Sequence, residues 1–225
     1  MFEHSSTHSE TSSLSRGITR QLSSYPTRQK RIFDILLSLT ILPILIPVIA
    51  VLYVIVRMDG GPGFFGHRRI GRNGESFKCW KVRTMVTDAQ ERLDELLATD
   101  PVARAEWKRD RKLTNDPRVT RLGNFLRRSS LDELPQIINV LRGEMSLVGP
   151  RPVTEPELEM YGARKSAYLK MRPGISGLWQ VSGRNDISYS ERVQLDWDYA
   201  NSVSLVLDAK ILAKTVDAVL SRTGR

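Results

Sequence analysis

Two carboxylates lie among arginines and serines in the segment 127–136, RRSSLDELPQ. Ser130 and Glu133 have the spacing of a capping box, and Asp132 offers an alternative N-cap, so the segment predicts the start of a helix. Capping alone is one interpretation of this pattern. The neighbouring Arg127 favours another, because arginines beside a helix N-terminus form a phosphate site. In such a site a carboxylate acts as a nucleophile or holds a divalent cation that also binds phosphate oxygens.

Three further arginines follow the carboxylate pair on loops that contain proline or glycine. They are Arg151 in GPRP at 149–152, Arg172 in RPG at 172–174 and Arg184 in GRN at 183–185. Proline and glycine fix such loops, so these arginines are preorganised to bind phosphate or carboxylate groups. Surface arginines near turns are the plainer interpretation of each motif alone. Trp179 is suited to stacking on a nucleobase, although a tryptophan of the core or of the membrane interface is the commoner case.

Composition excludes several other kinds of site. The chain has 225 residues and one cysteine, Cys79, which rules out a disulfide framework and a cysteine-rich zinc or iron–sulfur site. Two of its three histidines lie in the first eight residues, so a histidine-based metal site has few candidate ligands. Lys and Arg total 34 against 25 Asp and Glu, and the net charge of +9 favours nucleic acid, phosphorylated small molecules or anionic lipid as partners. A Walker loop, a zinc finger and an RNA-binding aromatic motif are absent from the sequence, so nucleic acid is not expected.

A long apolar run precedes the segments that contain the candidate site residues. From Ile35 to Val56 there are 22 residues without a charge, which is long enough to cross a bilayer core of ~30 Å at ~1.5 Å per residue. Pro43 and Pro47 lie inside the run and predict a kink or break near its centre. Basic residues lie on both sides, and the positive-inside rule keeps both ends in the cytoplasm. The pattern therefore predicts a re-entrant helix that enters one leaflet and returns, with a single span as the alternative.

The segments on either side of this run differ in character. Residues 1–27 hold twelve Ser or Thr with little apolar periodicity, which predicts a disordered tail. Residues 58–225 have the pattern of one soluble domain without an internal repeat. Within it we expect a turn at 71–74, a strand from Glu75 to Met85, helices over 86–99 and from Pro101 through Trp107, and a C-terminal amphipathic helix over 207–220.

Several blocks of the sequence resemble the bacterial sugar transferases, the monotopic phosphoglycosyl transferases that start exopolysaccharide, O-antigen and glycoprotein glycan assembly. The blocks span 30–215 in the family's order. They are KRIFDILLSL at 30–39, FKCWKVRTM at 77–85, RRSSLDELPQIINVLRGEMSLVGPRP at 127–152, RPGISGLWQVSGRN at 172–185 and the LDAKIL segment near the C-terminus. GHRRIGRNG at 66–74 and DPRVTRLG at 116–123 look most like the members that transfer galactose-1-phosphate for succinoglycan-type exopolysaccharide.

The resemblance implies an activity and a set of site residues. A UDP-sugar would donate its sugar-1-phosphate to undecaprenyl phosphate and release UMP, with Mg²⁺ at the Asp132–Glu133 dyad and Asp132 as the nucleophile. Lys81, in FKCWKVRTM, is expected to bind substrate. The arginines of the family's motifs correspond to Arg127, Arg151, Arg172 and Arg184. One departure is Ile46-Pro47, where family members often have Ser-Pro, so the predicted kink must be supported differently here.

The expected architecture is α+β and mainly helical. It combines the tail 1–27, a re-entrant membrane helix over 28–57 and a small cytoplasmic α/β catalytic domain over 58–225 with interfacial amphipathic helices, all at the cytoplasmic membrane. The expected partners are a UDP-sugar, undecaprenyl phosphate and membrane lipids, with no nucleic acid and with homo-oligomerisation left open. UDP-glucose remains an alternative donor. A non-catalytic, membrane-tethered basic binding or scaffold protein is the alternative of another class.

Overall fold

The computed structural model describes residues 27–110, 113–182 and 187–220, and this part of the chain is mainly helical with two small sheets. The predicted tail 1–27 lies outside the described residues except for Thr27, which begins the first helix. The first half contains α1 (Thr27–Arg57), β1 (Phe64–Ile70), β2 (Ser76–Val82), α2 (Ala89–Thr99), α3 (Pro101–Asp110) and α4 (Arg121–Arg128).

The second half alternates short helices with two short strands. Its elements are α5 (Gln136–Arg142), β3 (Ser146–Val148), α6 (Glu155–Glu159), α7 (Lys165–Leu169), β4 (Gly174–Ser176), α8 (Leu178–Ser182), α9 (Tyr189–Ser202) and α10 (Leu205–Leu220). Single 3₁₀ turns lie at Arg72–Gly74, Leu131–Glu133 and Gly162–Arg164. The α+β, mainly helical class predicted from the sequence is confirmed for the described residues.

Strands β1 and β2 form the predicted hairpin. They are antiparallel, with His67 opposite Cys79 and Phe65 opposite Lys81. The strand ends at Val82, earlier than the sequence pattern indicated. Side chains two residues apart in a strand share a face, so Lys81 lies on the same face as the buried Cys79.

The second sheet consists of β3 and β4, which are parallel and pair Ser146 with Gly174 and Val148 with Ser176. Helices α6 and α7 form the connection between the two strands. The largest group of buried apolar residues surrounds this sheet and draws on both sheets and on helices α5, α9 and α10. It comprises Phe77, Cys79, Ile137, Val140, Met145, Leu147, Val148, Tyr199 and Ile211.

Helix α1 contacts the rest of the chain at both of its ends. Near its start, Lys30 Nζ lies 2.6 Å from Asp208 Oδ2. One turn later Asp34 accepts a hydrogen bond from the backbone N–H of Leu147 at 3.1 Å. Near its end, the carbonyl of Val56 accepts a hydrogen bond from Arg83 at 3.1 Å. The two ends are therefore fixed to one and the same domain.

The centre of α1 carries the two prolines and a broad apolar surface. The helix runs without interruption from Thr27 to Arg57, so Pro43 and Pro47 do not break it as the sequence pattern suggested. Ile44 is 71% exposed, and other apolar side chains of the helix are also exposed. Among the described residues, α1 is the helix that is long and apolar enough to cross a membrane by length and composition.

The C-terminal helix α10 is amphipathic, as its spacing predicts. Ile211 is part of the core and Asp208 is fully buried, whereas Val206 and Val216 remain largely exposed. The buried side of α10 also contacts β3, β4 and α8. The helix thus contributes to the core and leaves a second apolar surface facing outward.

Gly123 allows α4 to lie directly against the chain that leaves β2. Thr120 caps α4, because its Oγ1 accepts a hydrogen bond from Gly123 N at 2.8 Å. Thr120 N in turn donates to the carbonyl of Thr84 at 3.0 Å. A Cβ atom on Gly123 would lie 2.0 Å from the Thr84 carbonyl oxygen, far inside van der Waals contact. Since α4 is followed directly by the turn Leu131–Glu133, its position determines that of the two carboxylates.

We expect Gly123→Ala to destabilise the protein even though alanine favours a helix by about 1 kcal/mol over glycine. The added methyl group must push α4 away from the Thr84 carbonyl, and overpacking of this kind costs roughly 1–3 kcal/mol. For a chain of this size each kcal/mol corresponds to about 2–4 °C in Tm. Thermal unfolding of the detergent-solubilised protein measures the effect.

Asn124→Ala is the matched control, because Asn124 is exposed on the same helix and its replacement changes helix propensity without a clash. Its Tm should stay at the wild-type value or rise slightly. A Gly123→Ala protein with unchanged or higher Tm would contradict the close packing of α4.

Candidate active site

The two predicted catalytic carboxylates lie in a 3₁₀ turn and not inside a helix. Ser130 precedes the turn with φ 58°, in the left-handed region, and its side chain makes no capping hydrogen bond. Helix α5 begins only at Gln136, after Pro135. The predicted capping box, and Asp132 as an N-cap, are therefore wrong. The left-handed residue and the tight turn instead direct Asp132 inward, where it is 6% exposed.

Lys81 of β2 lies between the carboxylates. Its Nζ is 2.6 Å from Glu133 Oε1 and 3.8 Å from Asp132 Oδ2. The sequence placed Lys81 with the substrate-binding residues, and the structure brings it to the dyad. One lysine charge is thus shared by two adjacent carboxylates.

Burial and the shared lysine separate the pKa values of the two carboxyl groups. Burial raises the pKa of Asp132 to about 6, against the lowering effect of Lys81, and the charge of Glu133 raises it further. Burial also disfavours ionised Glu133, but the charge and hydrogen bond of Lys81 outweigh it and lower the pKa of Glu133. Burial opposes the charge of Lys81 as well, yet the two carboxylates raise its pKa above the ordinary value. Near neutral pH the site therefore contains an ionised Lys81–Glu133 pair beside a less acidic Asp132.

An open cleft lies beside the dyad. Glu133 and Lys81 line it, and Asp132 is buried next to them behind the surface. Cys79 also faces the cleft, and burial raises the pKa of its thiol to about 11. The remaining lining residues are Arg69, Gln136, Arg151, Pro152, Gly174, Ile175, Trp179 and Gln180. The cleft therefore has carboxylates at one side and guanidinium groups around it.

Two of the predicted rigid loops pack directly on each other and form the wall of the cleft. Gly149 N donates to the Ser176 carbonyl at 2.9 Å, and Gly174 N donates to the Pro150 carbonyl at 2.9 Å. A Cβ atom on Gly174 would be 2.1 Å from Gly149 N, so this approach of the two backbones requires glycine. The contact fixes the loop that carries Arg151 into the cleft.

The predicted arginines do not all reach this cleft. Arg151 lines it, and its charge helps to lower the pKa of Glu133. Arg127 donates from Nε to Thr84 Oγ1 at 2.9 Å, close enough to the dyad for its charge to act on Asp132.

The other two predicted arginines are in different situations. Arg172 donates from Nε to the Gly143 carbonyl at 2.8 Å, beyond the C-terminal end of α5, where Arg31 also bonds to helix carbonyls. Arg172 thus caps the end of α5 that lies away from the dyad, and its predicted contact with the donor stays a prediction. Arg184 lies outside the described residues.

Two cleft residues were not singled out in the sequence. Arg69 of β1 lines the cleft and pairs with Glu157 at 2.8 Å. Gln136, the first residue of α5, is 2% exposed and also lines the cleft. Arg69 directly follows Arg68 in β1, and the sequence pattern does not distinguish the two arginines. Its role follows from the hairpin, which carries it to the same cleft as Lys81.

The donor set suits Mg²⁺ only when substrate phosphates complete it. Among the described residues no group of three or more His, Cys, Asp or Glu side chains converges to hold a metal ion. Asp132 and Glu133 offer two carboxylates, and Mg²⁺ is commonly held by one or two carboxylates together with phosphate oxygens and water. The residues therefore fit a magnesium ion that arrives with a phosphorylated substrate.

The sequence is similar to that of several known proteins. The sequence model described as "Bacterial sugar transferase" matches residues 25–222. The chain is 55% identical over 195 residues to the UDP-galactose-lipid carrier transferase of Erwinia amylovora and 54% identical over 195 residues to the undecaprenyl-phosphate galactose phosphotransferase of Salmonella typhimurium. These alignments cover 87% of this chain and 41% of each relative, so the chain spans about two fifths of their length.

One relative of similar size is matched over most of its own length. The exopolysaccharide production protein ExoY of Rhizobium meliloti is 52% identical over 196 residues, which cover 87% of both chains. The matched range includes the apolar helix, the dyad, Lys81 and the loops around the cleft. The chain therefore belongs to the bacterial sugar transferase family.

Proposed function

We propose that the protein transfers a hexose-1-phosphate, galactose-1-phosphate in particular, from a UDP-sugar to undecaprenyl phosphate and releases UMP. The observation that carries the proposal is the buried Asp132 beside the Lys81–Glu133 pair at a cleft rich in arginine. The names of two relatives, a UDP-galactose-lipid carrier transferase and an undecaprenyl-phosphate galactose phosphotransferase, support the choice of sugar and acceptor. The name of the ExoY relative supports a place in exopolysaccharide production.

UDP-glucose is the alternative donor. A relative in Escherichia coli, 39% identical over 196 residues, is named UDP-glucose:undecaprenyl-phosphate glucose-1-phosphate transferase. This identity is lower than that to the relatives named for galactose, which favours galactose.

The proposed reaction has two displacement steps at phosphorus. In the first, a carboxylate oxygen of Asp132 attacks the β-phosphorus of the UDP-sugar, and the bond to the oxygen that bridges the two phosphates breaks. UMP leaves with that oxygen, and the sugar phosphate remains on Asp132 as an acyl phosphate. In the second step a phosphate oxygen of undecaprenyl phosphate attacks the same phosphorus and releases the Asp132 carboxylate. Splitting the transfer keeps the two phosphorylated substrates from having to meet in one step.

Positive charge around the cleft reduces the repulsion between carboxylate and phosphate. Arg151 and Arg69 line the cleft, and their charges already act on Glu133. Because its pKa is lowered, Glu133 stays ionised at neutral pH, which suits binding of a cation better than donation of a proton. Asp132 and Glu133 would hold Mg²⁺ together with donor phosphate oxygens. When bound, the ion supplies further neutralisation of phosphate charge.

We further propose that α1 is re-entrant and that the domain after Arg57 faces the cytoplasm. A helix that crosses a bilayer has its ends on opposite sides, where one small domain cannot contact both. Lys30 contacts Asp208 and Val56 contacts Arg83, and these contacts at opposite ends of α1 favour re-entrance. This arrangement keeps the polyprenyl chain of the acceptor in the leaflet while its phosphate reaches the cleft.

Asp132 should form a covalent sugar-phosphate adduct. Incubation with UDP-galactose and Mg²⁺, without lipid, should release about one UMP per active site and raise the protein mass by one hexose phosphate. Asp132→Asn should abolish both signals, because an amide is a poor nucleophile. Asp94→Asn, at an exposed aspartate of α2, should leave both unchanged. UMP quantification and intact-protein mass spectrometry measure the two signals.

The outcomes of this experiment separate the alternatives. A larger burst from UDP-glucose than from UDP-galactose would transfer the assignment to glucose. Near wild-type turnover by Asp132→Asn would make the lipid phosphate the direct nucleophile. Binding of UDP-sugars without any UMP release, in the presence of undecaprenyl phosphate, would favour the non-catalytic alternative.

The pH dependence should reflect the unusual acidity of Asp132. Only the carboxylate form attacks, and the pKa of this group is raised to about 6. The value of kcat/KM for UDP-galactose should therefore fall about tenfold per pH unit below that pKa and level off above it. With an unperturbed aspartate, this acid limb of the pH profile, the fall in kcat/KM, would begin near pH 3.8.

Lys81→Met tests whether the charges around Asp132 set the pH at which kcat/KM falls. Loss of the lysine charge removes a lowering influence on Asp132, so the acid limb of the residual activity should move to higher pH. A wild-type limb near the ordinary aspartate value, or a downward movement in Lys81→Met, would contradict the electrostatic account of the dyad.

Cysteine labelling tests the topology. In a Cys79→Ala background, Ser13→Cys and Met58→Cys place single thiols before and after α1, and Met58 is 81% exposed. Both should resist a membrane-impermeant maleimide in intact cells and react after permeabilisation. A single span would instead expose one of the two in intact cells. Pro47→Ala should shift some molecules toward spanning and make Ser13→Cys partly reactive, because alanine restores the backbone hydrogen bond that proline removes and so favours a straight helix.

A further inference from the structure

Two arginines stack on one tryptophan at the wall of the cleft. The guanidinium carbon of Arg151 lies 5.4 Å from the centre of the Trp179 ring, and that of Arg192 lies 4.5 Å from it. Arg151 comes from the loop after β3, Trp179 from α8 and Arg192 from α9. Trp179 is 6% exposed and lines the cleft. The indole ring therefore positions two guanidinium groups, a contact typical of arginine on tryptophan.

Each member of this group has a buried hydrogen-bond donor that is not used. Within the part of the chain that the structure describes, Arg151 Nε, Arg192 Nε and Trp179 Nε1 are buried without an acceptor. Buried donors are nearly always paired in folded proteins, so three of them in one place indicate an acceptor that is not among the described residues, and a ligand in the cleft can supply it. An acceptor with several oxygen atoms would satisfy them together.

The charge of this group is also not balanced. Neither Arg151 nor Arg192 makes an ion pair with a carboxylate of the described residues. Burial and the charge of Arg151 lower the pKa of Arg192. The nearest acidic group acting on Arg192 is Asp196, whose pKa burial raises to about 7 and which accepts a hydrogen bond from Tyr161 at 2.7 Å. At neutral pH this carboxyl is a weak counter-ion, so an anionic ligand is favoured.

We propose that Arg151, Trp179 and Arg192 form a phosphate subsite that holds the phosphate of the departing nucleotide. The proposal rests on the proposed function for the identity of that nucleotide. Arg151 connects the two parts of the site, because it lines the cleft with Glu133 and its charge acts on both Glu133 and Arg192. Arg192 is not among the lining residues and joins the group through its contact with Trp179. With the reacting phosphorus at Asp132, the second phosphate of the donor lies one step further along, at the stacked arginines.

The subsite assigns different parts to its three members. Arg151 and Arg192 donate to phosphate oxygens, and the contact of each guanidinium group with the Trp179 ring helps to hold it in place. Trp179 contributes its indole N–H and the stacking surface. It is thus a platform for arginines, which differs from the nucleobase stacking considered from the sequence.

Binding of UMP to the full-length protein in detergent, measured by calorimetry without donor or lipid, tests the proposal. Arg192→Ala should weaken UMP binding about 10- to 100-fold, as expected for loss of a charge-assisted hydrogen bond. Arg192→Lys should recover only part of the affinity, because the ammonium group lacks the planar fork. The KM for UDP-galactose should rise in the same order while the KM for undecaprenyl phosphate stays constant.

Arg164→Ala is the matched control. Arg164 also stacks on a tryptophan, Trp197, at 6.0 Å from its ring centre, but Trp197, unlike Trp179, does not line the cleft. Its removal should leave UMP affinity at the wild-type value. A similar loss in both variants would mean that stacked arginines act through general stability, and the subsite would be rejected.

Three further results distinguish the remaining possibilities. Unchanged UMP affinity in a folded Arg192→Ala protein would overturn the subsite. A rise in KM for undecaprenyl phosphate alone would overturn the nucleotide assignment, because the phosphate held would then be that of the lipid. Loss of UMP binding in Arg192→Ala, in a protein whose wild type turns over no UDP-sugar, would support the subsite and reject the proposed function.

Discussion

Buried charge holds the long apolar helix to the rest of the domain. Lys30 pairs with Asp208 at 2.6 Å, and the other oxygen of Asp208 accepts a hydrogen bond from Tyr199 at 2.7 Å. Asp34 accepts a hydrogen bond from Ser146 at 2.8 Å. A buried charge that loses its partner is strongly destabilising, so α1, α9, α10 and β3 are stable only in this mutual arrangement. The loop with the cleft arginine follows β3 directly and therefore depends on the same contacts.

Positive charge is unevenly distributed in the cleft. The two carboxylates of the dyad share one lysine, whereas arginines lie along the neighbouring wall. One lysine, Lys81, serves two carboxylates, and it pairs closely with Glu133 while Asp132 remains less acidic. The arginines at the wall have few carboxylates of their own. A substrate that brings negative charge to the arginines and accepts a bond from Asp132 satisfies both requirements at once. Phosphate esters have these properties, which is why the geometry fits the chemistry proposed for the family.

Local sequence patterns predicted the parts of the site that local structure determines. The hairpin and the position of Lys81 on it follow from strand alternation, and the dyad follows from its motif. The predicted capping box is wrong because Ser130 adopts a left-handed conformation, and the carboxylates that follow it lie in a 3₁₀ turn. Arg172 resembles Arg151 in its Pro/Gly loop, but a free helix end attracts its side chain instead. Arg192 has no motif, because its role depends on the packing of α9 against α8, which only the tertiary structure reveals.

The buried thiol in the cleft has a consequence for how the protein responds to oxidants. Oxidants and electrophiles attack the thiolate form, and a thiol with a pKa of about 11 is almost entirely protonated at neutral pH. Cys79 is the single cysteine of the chain and is 1% exposed, so no other sulfur can form a disulfide with it within one molecule. Under the proposed mechanism Asp132, and not this thiol, is the nucleophile, so the proposed chemistry does not depend on the redox state of Cys79. The proposed transfer would therefore continue under conditions that inactivate cysteine-dependent enzymes.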